Sequence, residues 1–266
     1  MSMREKYLWI TDPHIKPWGR RQFLNTILNE KPKAIFLTGD ISNSYQTLMG
    51  DLDFLGMRVG RPVYFVTGNH DYHGSDFETV HSGIRRLCNE HSNLVWIDEE
   101  LPIALTEEVG IVGNRGWYDA FCGNTEFLKF TIDWWLIKDF RNLPNFNARI
   151  EMFRELAKKS AEEVCEKLLV ALEQFKSVYL LTHFPTHKEA NRCHSLLSEA
   201  FYEPYNTNIV LGKKLEEIMA KYKKRHLTVL SGHTHEAAII HAARNIEVRV
   251  GKGSYFKLTE DEIIYI

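Results

Sequence analysis

An α/β fold is what this sequence predicts, and three features predict it. Short, β-rich apolar runs alternate with segments whose apolar residues recur at helical spacing. The apolar runs are nearly continuous, as in strands covered on both faces. Polar residues close several of these runs at the carboxyl end, where open α/β folds place their ligands.

The elements follow in order. YLWIT is a strand ending at Asp12, and RRQFLNTILNE is a helix. AIFLTGD is a strand ending at Asp40, followed by TLMGDLDFLGMRVG as a helix. PVYFVTGNHD is a third strand with its exit, HSGIRRLCNEH a helix and LVWID a strand. IALTEEVGIVGNRGW reads as a hairpin with its two glutamates near the turn. Residues 117–146 are rich in Trp, Tyr and Phe and are expected to leave the sheet, partly helical. From Asn147 the pattern is helical, with Ile150, Phe153, Leu156, Ala157, Val164, Leu168 and Leu172 as an apolar stripe. SVYLLTH is a strand ending at His183; after a loop, KKLEEIMAKYKK is a helix and LTVLSGHTH a strand ending in histidines. IEVRVGKGSYF and EIIYI are expected as antiparallel strands. No repeat or flexible linker interrupts the 266 residues, so one domain over 1–266, with an insertion at about 117–146, is the expected organisation.

Composition narrows the class. A net charge of -2 excludes recruitment of nucleic acid or an anionic membrane by bulk electrostatics. No stretch approaches the roughly 20 apolar residues of a membrane span. The apolar run near the start, YLWI, is far shorter than the core of a signal peptide, so a cytoplasmic protein is expected. Cys88, Cys122, Cys165 and Cys193 are widely spaced and read as free thiols.

The chemistry lies in the residues that close the strands. Asp12 and His14, Asp40, Asn69 and His70, His183, and His233 and His235 occupy equivalent places. Two carboxylates, one amide and several imidazoles, without cysteine, suit Mn, Fe, Zn or Co; Ca would prefer all-oxygen ligation. The groups are too many for one tetrahedral zinc but serve two adjacent ions. Asp40 closes its strand with no ligand neighbour and is the natural bridge between them.

The order DPH (12–14), GD (39–40), GNHD (68–71), a lone His183 and GHTH (232–235) resembles the calcineurin-like metallophosphoesterase superfamily. The resemblance implies a β-sandwich of two mixed sheets flanked by helices, a four-layer α/β/β/α fold. It implies one ion held by Asp12, His14, Asp40 and His235, and a second by Asp40, Asn69, His183 and His233. His70 would contact the substrate phosphate, and Asp71 would accept the other imidazole N–H of His70. The two divalent transition ions are expected to be Mn or Fe ahead of Zn or Co. The implied reaction is hydrolysis of a phosphoric ester by metal-activated hydroxide, with no Ser or Cys nucleophile.

The loops must choose the ester. Arg115, Trp117, Trp134, Trp135 and Lys188 are candidate substrate contacts, with Tyr118, Arg141 and Arg192 beside them; the same aromatics would equally serve as the core of the insertion. A small-molecule phosphoester is the expected substrate, with a slight preference for phosphodiesters; a phosphomonoesterase or nucleotide pyrophosphatase is the alternative, ahead of a protein phosphatase, a nuclease or a non-catalytic scaffold. The protein phosphatases of the superfamily carry GDxVDRG and GNHE, where this chain has GDISNSY and GNHD. No nucleic acid or membrane partner is expected.

Overall fold

The computed structural model describes residues 4–191, 203–253 and 262–266. Strand β1 (Lys6–Ile10) shows why its apolar run is unbroken. Tyr7 and Trp9 point to one face of their sheet, Leu8 and Ile10 to the other, and all four are buried. The first pair meets a second sheet and the second pair meets helices. Strand β2 (Ala34–Thr38) repeats this, with Phe36 between the sheets and Ile35 and Leu37 under the helices.

The first sheet has five strands in the order β11 (Ile263–Tyr265), β1, β2, β3 (Val63–Val66) and β4 (Leu94–Trp96). All pair in parallel except β11, which is antiparallel to β1. The second sheet runs β5 (Ile103–Ala104), β6 (Val109–Gly113), β7 (Ser177–Leu181), β8 (His226–Ser231), β10 (Ile246–Val250), β9 (Ala238–Ala243). Its β6, β7, β8 and β10 are parallel, with an antiparallel strand at each edge.

Helices α1 (Arg20–Glu30), α2 (Tyr45–Arg58) and α3 (Phe77–Glu90) cover the outer face of the first sheet. The long α6 (Phe146–Gln174) and α7 (Ile209–Met219) cover that of the second. The result is the expected four-layer α/β/β/α sandwich. Helix starts follow local chemistry: Ser44 and Thr47 form a reciprocal capping box on α2, and Asp76, Asn145 and Asn208 cap α3, α6 and α7. These caps place α2, α3 and α7 two to four residues earlier than the apolar periodicity alone. Among the described residues no helix is long and apolar enough to cross a membrane.

The tail departs from the sequence reading. The run 246–250 is parallel to β8 and antiparallel only to β9, a strand that the reading missed because AIIHAA alternates weakly. Strand β11 then crosses to the other sheet and closes the edge of β1. Of the cysteines, Cys88, Cys122 and Cys165 are free thiols, and Cys193 lies outside the described residues.

Residues 117–146 do leave the sheet, as a 3-10 turn at Thr125–Phe130 and two short helices, α4 (Asp133–Leu136) and α5 (Lys138–Arg141). Their aromatics build a core against Phe153 of α6: the rings of Tyr118 and Phe140 each lie 4.6 Å from it, and Trp134 stacks at 6.1 Å. Phe153→Ala removes the residue that all three share. We expect it to destabilise the protein by about 3–5 kcal/mol, as for other large core truncations. The readout is a lower urea midpoint with an unchanged m-value.

Candidate metal centre

The loops leaving β1 and β2 are tied to each other by their backbones, as are those leaving β6, β7 and β8, before any side chain is considered. Asp12 N–H donates to Gly39 O, His14 N–H to Asp40 O, His183 N–H to Arg115 O and Gly232 N–H to His183 O, all within 3.2 Å. The carboxylates add to this lacing. Asp40 Oδ1 accepts from the backbone N–H of His70 at 2.9 Å, and Asp12 accepts from that of His233 at 3.0 Å.

Such tight turns impose strain. Seven non-glycine residues among those described have positive φ, and five of them are Asp12, His14, Asp40, His233 and His235. That conformation is costly for residues with a Cβ and concentrates at functional sites. Gly68 is required by close approach of its neighbours rather than by backbone conformation. Its φ is not positive; a Cβ there would lie 2.2 Å from Asp40 Oδ1 and 2.4 Å from Asp40 N. At Gly232 a Cβ would lie 2.1 Å from Asp12 Oδ2.

The structure brings all seven expected ligands and His70 together. The donor atoms of Asp12, His14 and His235 lie within 4.8 Å of one another, as do those of Asp40, His183 and His233, and those of His14, Asp40 and His70. Asp40 stands between the groups: Oδ2 is 3.7 Å from His14 Nε2 and 3.8 Å from His70 Nε2, while Oδ1 is 3.5 Å from His183 Nε2. His235 Nε2 is 3.3 Å from Asp12 Oδ1 and also 3.3 Å from His14 Nε2. Asn69 turns Oδ1 toward His183 Nε2 at 3.2 Å.

Outer contacts set which nitrogen of each imidazole faces inward. His183 Nδ1 donates to Thr38 O at 2.9 Å, so its Nε2 faces Asp40 and Asn69. His233 Nε2 donates to Tyr205 O at 2.9 Å, which leaves Nδ1 as the available lone pair. His14 Nδ1 meets Asn43 Oδ1 at 2.9 Å and turns Nε2 to Asp40. This orientation of ligating histidines by carbonyl partners is the usual support of a metal site.

Charge supplies the fit test. Asp12 and Asp40 are buried, and among the described residues neither pairs with a Lys or Arg. Burial pushes the Asp40 carboxyl up, but His183, His70 and His14 hold it well below its ordinary range. Burial also opposes charge on His183, yet Asp40 outweighs it and raises the pKa to about 9. Burial and the proximity of His183 lower His233 to about 4. Buried carboxylates facing imidazole lone pairs are what divalent cations require, and the residues fit two of them.

Two corrections concern the expected roles. Asp71 does not accept from His70. Its oxygens accept from the backbone N–H groups of Ser42 at 2.8 Å, Gly68 at 2.9 Å and Ile41 at 3.3 Å, so it joins the exits of β2 and β3. The 3-10 turn at His70–Tyr72 points consecutive side chains apart, and the His70 ring turns to Asp40 instead. The candidate substrate contacts also divide. Trp117 and Trp134 are buried in the aromatic core. Arg115 is half-buried and paired with Asp98, and Lys188 pairs with Glu203. Trp135 alone of the five is exposed and unburdened by an ion pair, with the Arg149 guanidinium 5.5 Å from its ring. Arg192 lies outside the described residues.

Residues missed from the sequence stand behind the ligands. Asp133 Oδ1 accepts from Asn69 Nδ2 at 3.0 Å and from His73 Nε2 at 2.7 Å, and its Oδ2 accepts from Tyr118 OH at 3.2 Å. The signal available was a lone acid in an aromatic stretch, IDWW: a buried carboxylate there needs donors.

Clustered ligands at the carboxyl ends of a four-layer sandwich define a metal-dependent hydrolase. The chain belongs to the calcineurin-like phosphoesterase family, whose profile matches residues 6–237. Among curated proteins it is similar to a zebrafish (Danio rerio) transmembrane protein with a metallophosphoesterase domain, 35% identical over 96 residues. That match covers 32% of this chain and 22% of the relative, so the chain aligns with about a fifth of that protein. Among solved structures it is similar to the phosphopantetheinyl hydrolase of Mycobacterium tuberculosis, with a TM-score of 0.66, 16% identity, and 100% and 97% of the two chains covered. A dimetal phosphatase from Danio rerio superposes with a TM-score of 0.56 at 11% identity, covering 94% and 87%. At these identities the likeness is one of fold.

A proton and a cation compete for His183. In the metal-free protein this imidazole is charged below about pH 9, and a cation needs it neutral. Divalent-ion affinity should therefore rise with pH, by up to about tenfold per unit between pH 7 and 9 for one displaced proton. The stability that the charged imidazole lends the metal-free protein runs the other way: it is full below pH 6.5 and lost as pH rises through about 9. Titration calorimetry in two buffers of different ionisation enthalpy reads the released proton directly.

Proposed function

We propose that the protein hydrolyses small-molecule phosphoric esters at a two-ion centre, and that diesters are preferred to monoesters. One observation carries the preference. In the excursion whose Asp133 meets Asn69, Phe130, Ile132, Trp135 and Leu136 are exposed within seven residues. The excursion is docked by Asp133 to Asn69 and by the Gly74 N–H to Leu136 O. A diester has one negative charge and two organic arms, which suit an apolar rim. A dianionic monoester would call for free cations, whereas Arg115 and Lys188 are both engaged by carboxylates. Phosphomonoesters and nucleoside pyrophosphates are the alternative substrates.

In this reading Asp12, His14, Asp40 and His235 hold one ion and Asp40, Asn69, His183 and His233 the other. The nitrogen and oxygen donor set suits Mn, Fe, Zn or Co, and Mn or Fe are the ions proposed. Bound divalent ions lower the pKa of water and draw charge from the phosphoryl oxygens. Asp40 balances charge between the two positions. His70 is held by its backbone N–H on Asp40, with the side chain 29% exposed. Its ring reaches outward beside His14 and can donate a proton to the departing alkoxide. His235, with its side chain 40% exposed, forms the other open edge. Buried His183 and Asn69 form the closed floor.

Two substitutions separate these roles. Asp40→Asn should cost both ions, read by metal analysis of protein purified without chelator. His70→Ala should keep both and lose turnover by roughly 10²–10⁴-fold, the range for a positioned acid. Retention of two tight ions by the first variant, or of full activity by the second, contradicts the assignment.

A parallel assay with Mn²⁺ tests the substrate class. It compares bis-p-nitrophenyl phosphate, p-nitrophenyl phosphate, cyclic nucleotides and nucleoside pyrophosphates. Diesters should give the highest kcat/KM, and Trp135→Ala should lower it roughly tenfold, equivalent to about 1.4 kcal/mol. A clear monoester preference, or no effect of the Trp135 change, overturns the diester reading.

A further inference from the structure

Asn69 poses a problem of orientation. A carboxamide has one end that can bind a cation and one that cannot, and the two ends have nearly the same shape. Its position among polar groups does not by itself choose between them. Asp133 makes the choice. The carboxylate is buried, and three donors converge on it: Asn69 Nδ2 at 3.0 Å, His73 Nε2 at 2.7 Å and Tyr118 OH at 3.2 Å. An ionised carboxylate accepts and never donates. Turning the amide over would set Asn69 Oδ1 against Asp133 Oδ1, two acceptors in a buried place. The nitrogen end is therefore held on Asp133 and the oxygen end on the side of His183 Nε2, 3.2 Å away.

We propose that Asp133 is a positioning residue for one of the two ions: it locks the Asn69 carboxamide with its oxygen inward, and so makes that ion position depend on the folding of the aromatic excursion. This rests on the two-ion reading above. Asp133 is not itself within the clusters that could hold a metal. It is presented by α4, whose Trp134 is anchored beside Phe146 and Phe153 of α6. Among the described residues, the hydrogen-bond partners of Asp133 are Asn69, His73 and Tyr118, and none belongs to the other cluster of Asp12, His14 and His235. The two ions should thus respond differently to its loss.

Asp133→Asn keeps the shape and offers Asn69 a partner that can either accept or donate. Manganese titration followed by calorimetry and electron paramagnetic resonance should show two sites in the parent, with an exchange-coupled pair. In Asp133→Asn one site should keep parent affinity and the other weaken by roughly 10–100-fold, the range for lost support behind a ligand. The spectrum should become that of an isolated ion at sub-saturating manganese. Tyr118→Phe, which removes one donor to Asp133 and leaves Asn69 bonded, should bind both ions within about threefold of the parent. Both sites unchanged in Asp133→Asn, or both weakened equally, overturns the proposal.

A measurement on the metal-free parent needs no variant to fold. The side-chain NH₂ of Asn69, assigned by nuclear magnetic resonance, should exchange slowly with solvent because it is bonded to a buried acceptor. Rapid exchange overturns the lock. If the parent binds fewer than two ions, the two-ion reading fails, while this measurement still decides whether Asp133 orients Asn69.

Discussion

Two buried carboxylates with no ammonium or guanidinium to meet them among the described residues are the constraint on which the rest depends. Asp12 and Asp40 end adjacent parallel strands, so their side chains necessarily lie close. Two such charges repel and are costly to bury, unless positive charge comes to them. Imidazoles from three other segments surround them in the metal-free state, with the His183 pKa raised to about 9, and divalent cations would meet them more strongly. The strained backbone has the same origin. Five of the residues that converge here take up positive φ, a cost that the backbone hydrogen bonds between the loops offset.

The sandwich brings the halves of the site together. The first sheet supplies Asp12, Asp40, Asn69 and His70; the second supplies His183, His233 and His235. Neither sheet alone holds a complete donor set. Large residues between the sheets, Trp9 and Phe36 from one and Ile111, Leu181 and Leu230 from the other, set their separation. The Trp9 indole even donates to Thr38 Oγ1, and the Thr38 carbonyl in turn accepts from His183. A core residue, a strand end and a ligand from the opposite sheet thus share one chain of contacts. Packing between the sheets is in this sense part of the metal chemistry.

The aromatic excursion serves both stability and chemistry, and residue spacing separates the two. Trp134 faces inward and anchors α4, while its neighbour Trp135 is 59% exposed. Asp133, one residue earlier, reaches the metal ligands. One short turn therefore offers a core residue, a polar support and a surface residue in succession. That is how a peripheral segment comes to border a site whose ligands all lie elsewhere in the sequence.

The sequence by itself determined the layering and the Asp and His residues that converge at the strand ends. Strand-closing Asp and His residues are visible because ligand type is a property of the residue and strand ends are marked by local pattern. Helix starts were less legible, since capping by Ser44, Asp76 and Asn208 extends α2, α3 and α7 beyond their apolar stripes. Pairing direction at 246–250 and the crossing of 263–265 to the other sheet were not legible, because strand partners are chosen by long-range packing. Tertiary structure alone decided which side chains stand behind the ligands. Asp71 and Asp133 are both acids near the site, and only the fold turns one to backbone amides and the other to Asn69, His73 and Tyr118. It likewise decided that Trp117 and Trp134 are core and Trp135 is surface. An aromatic side chain carries the same hydrophobic drive wherever it stands; whether that drive is spent inside depends on neighbours hundreds of atoms away along the chain.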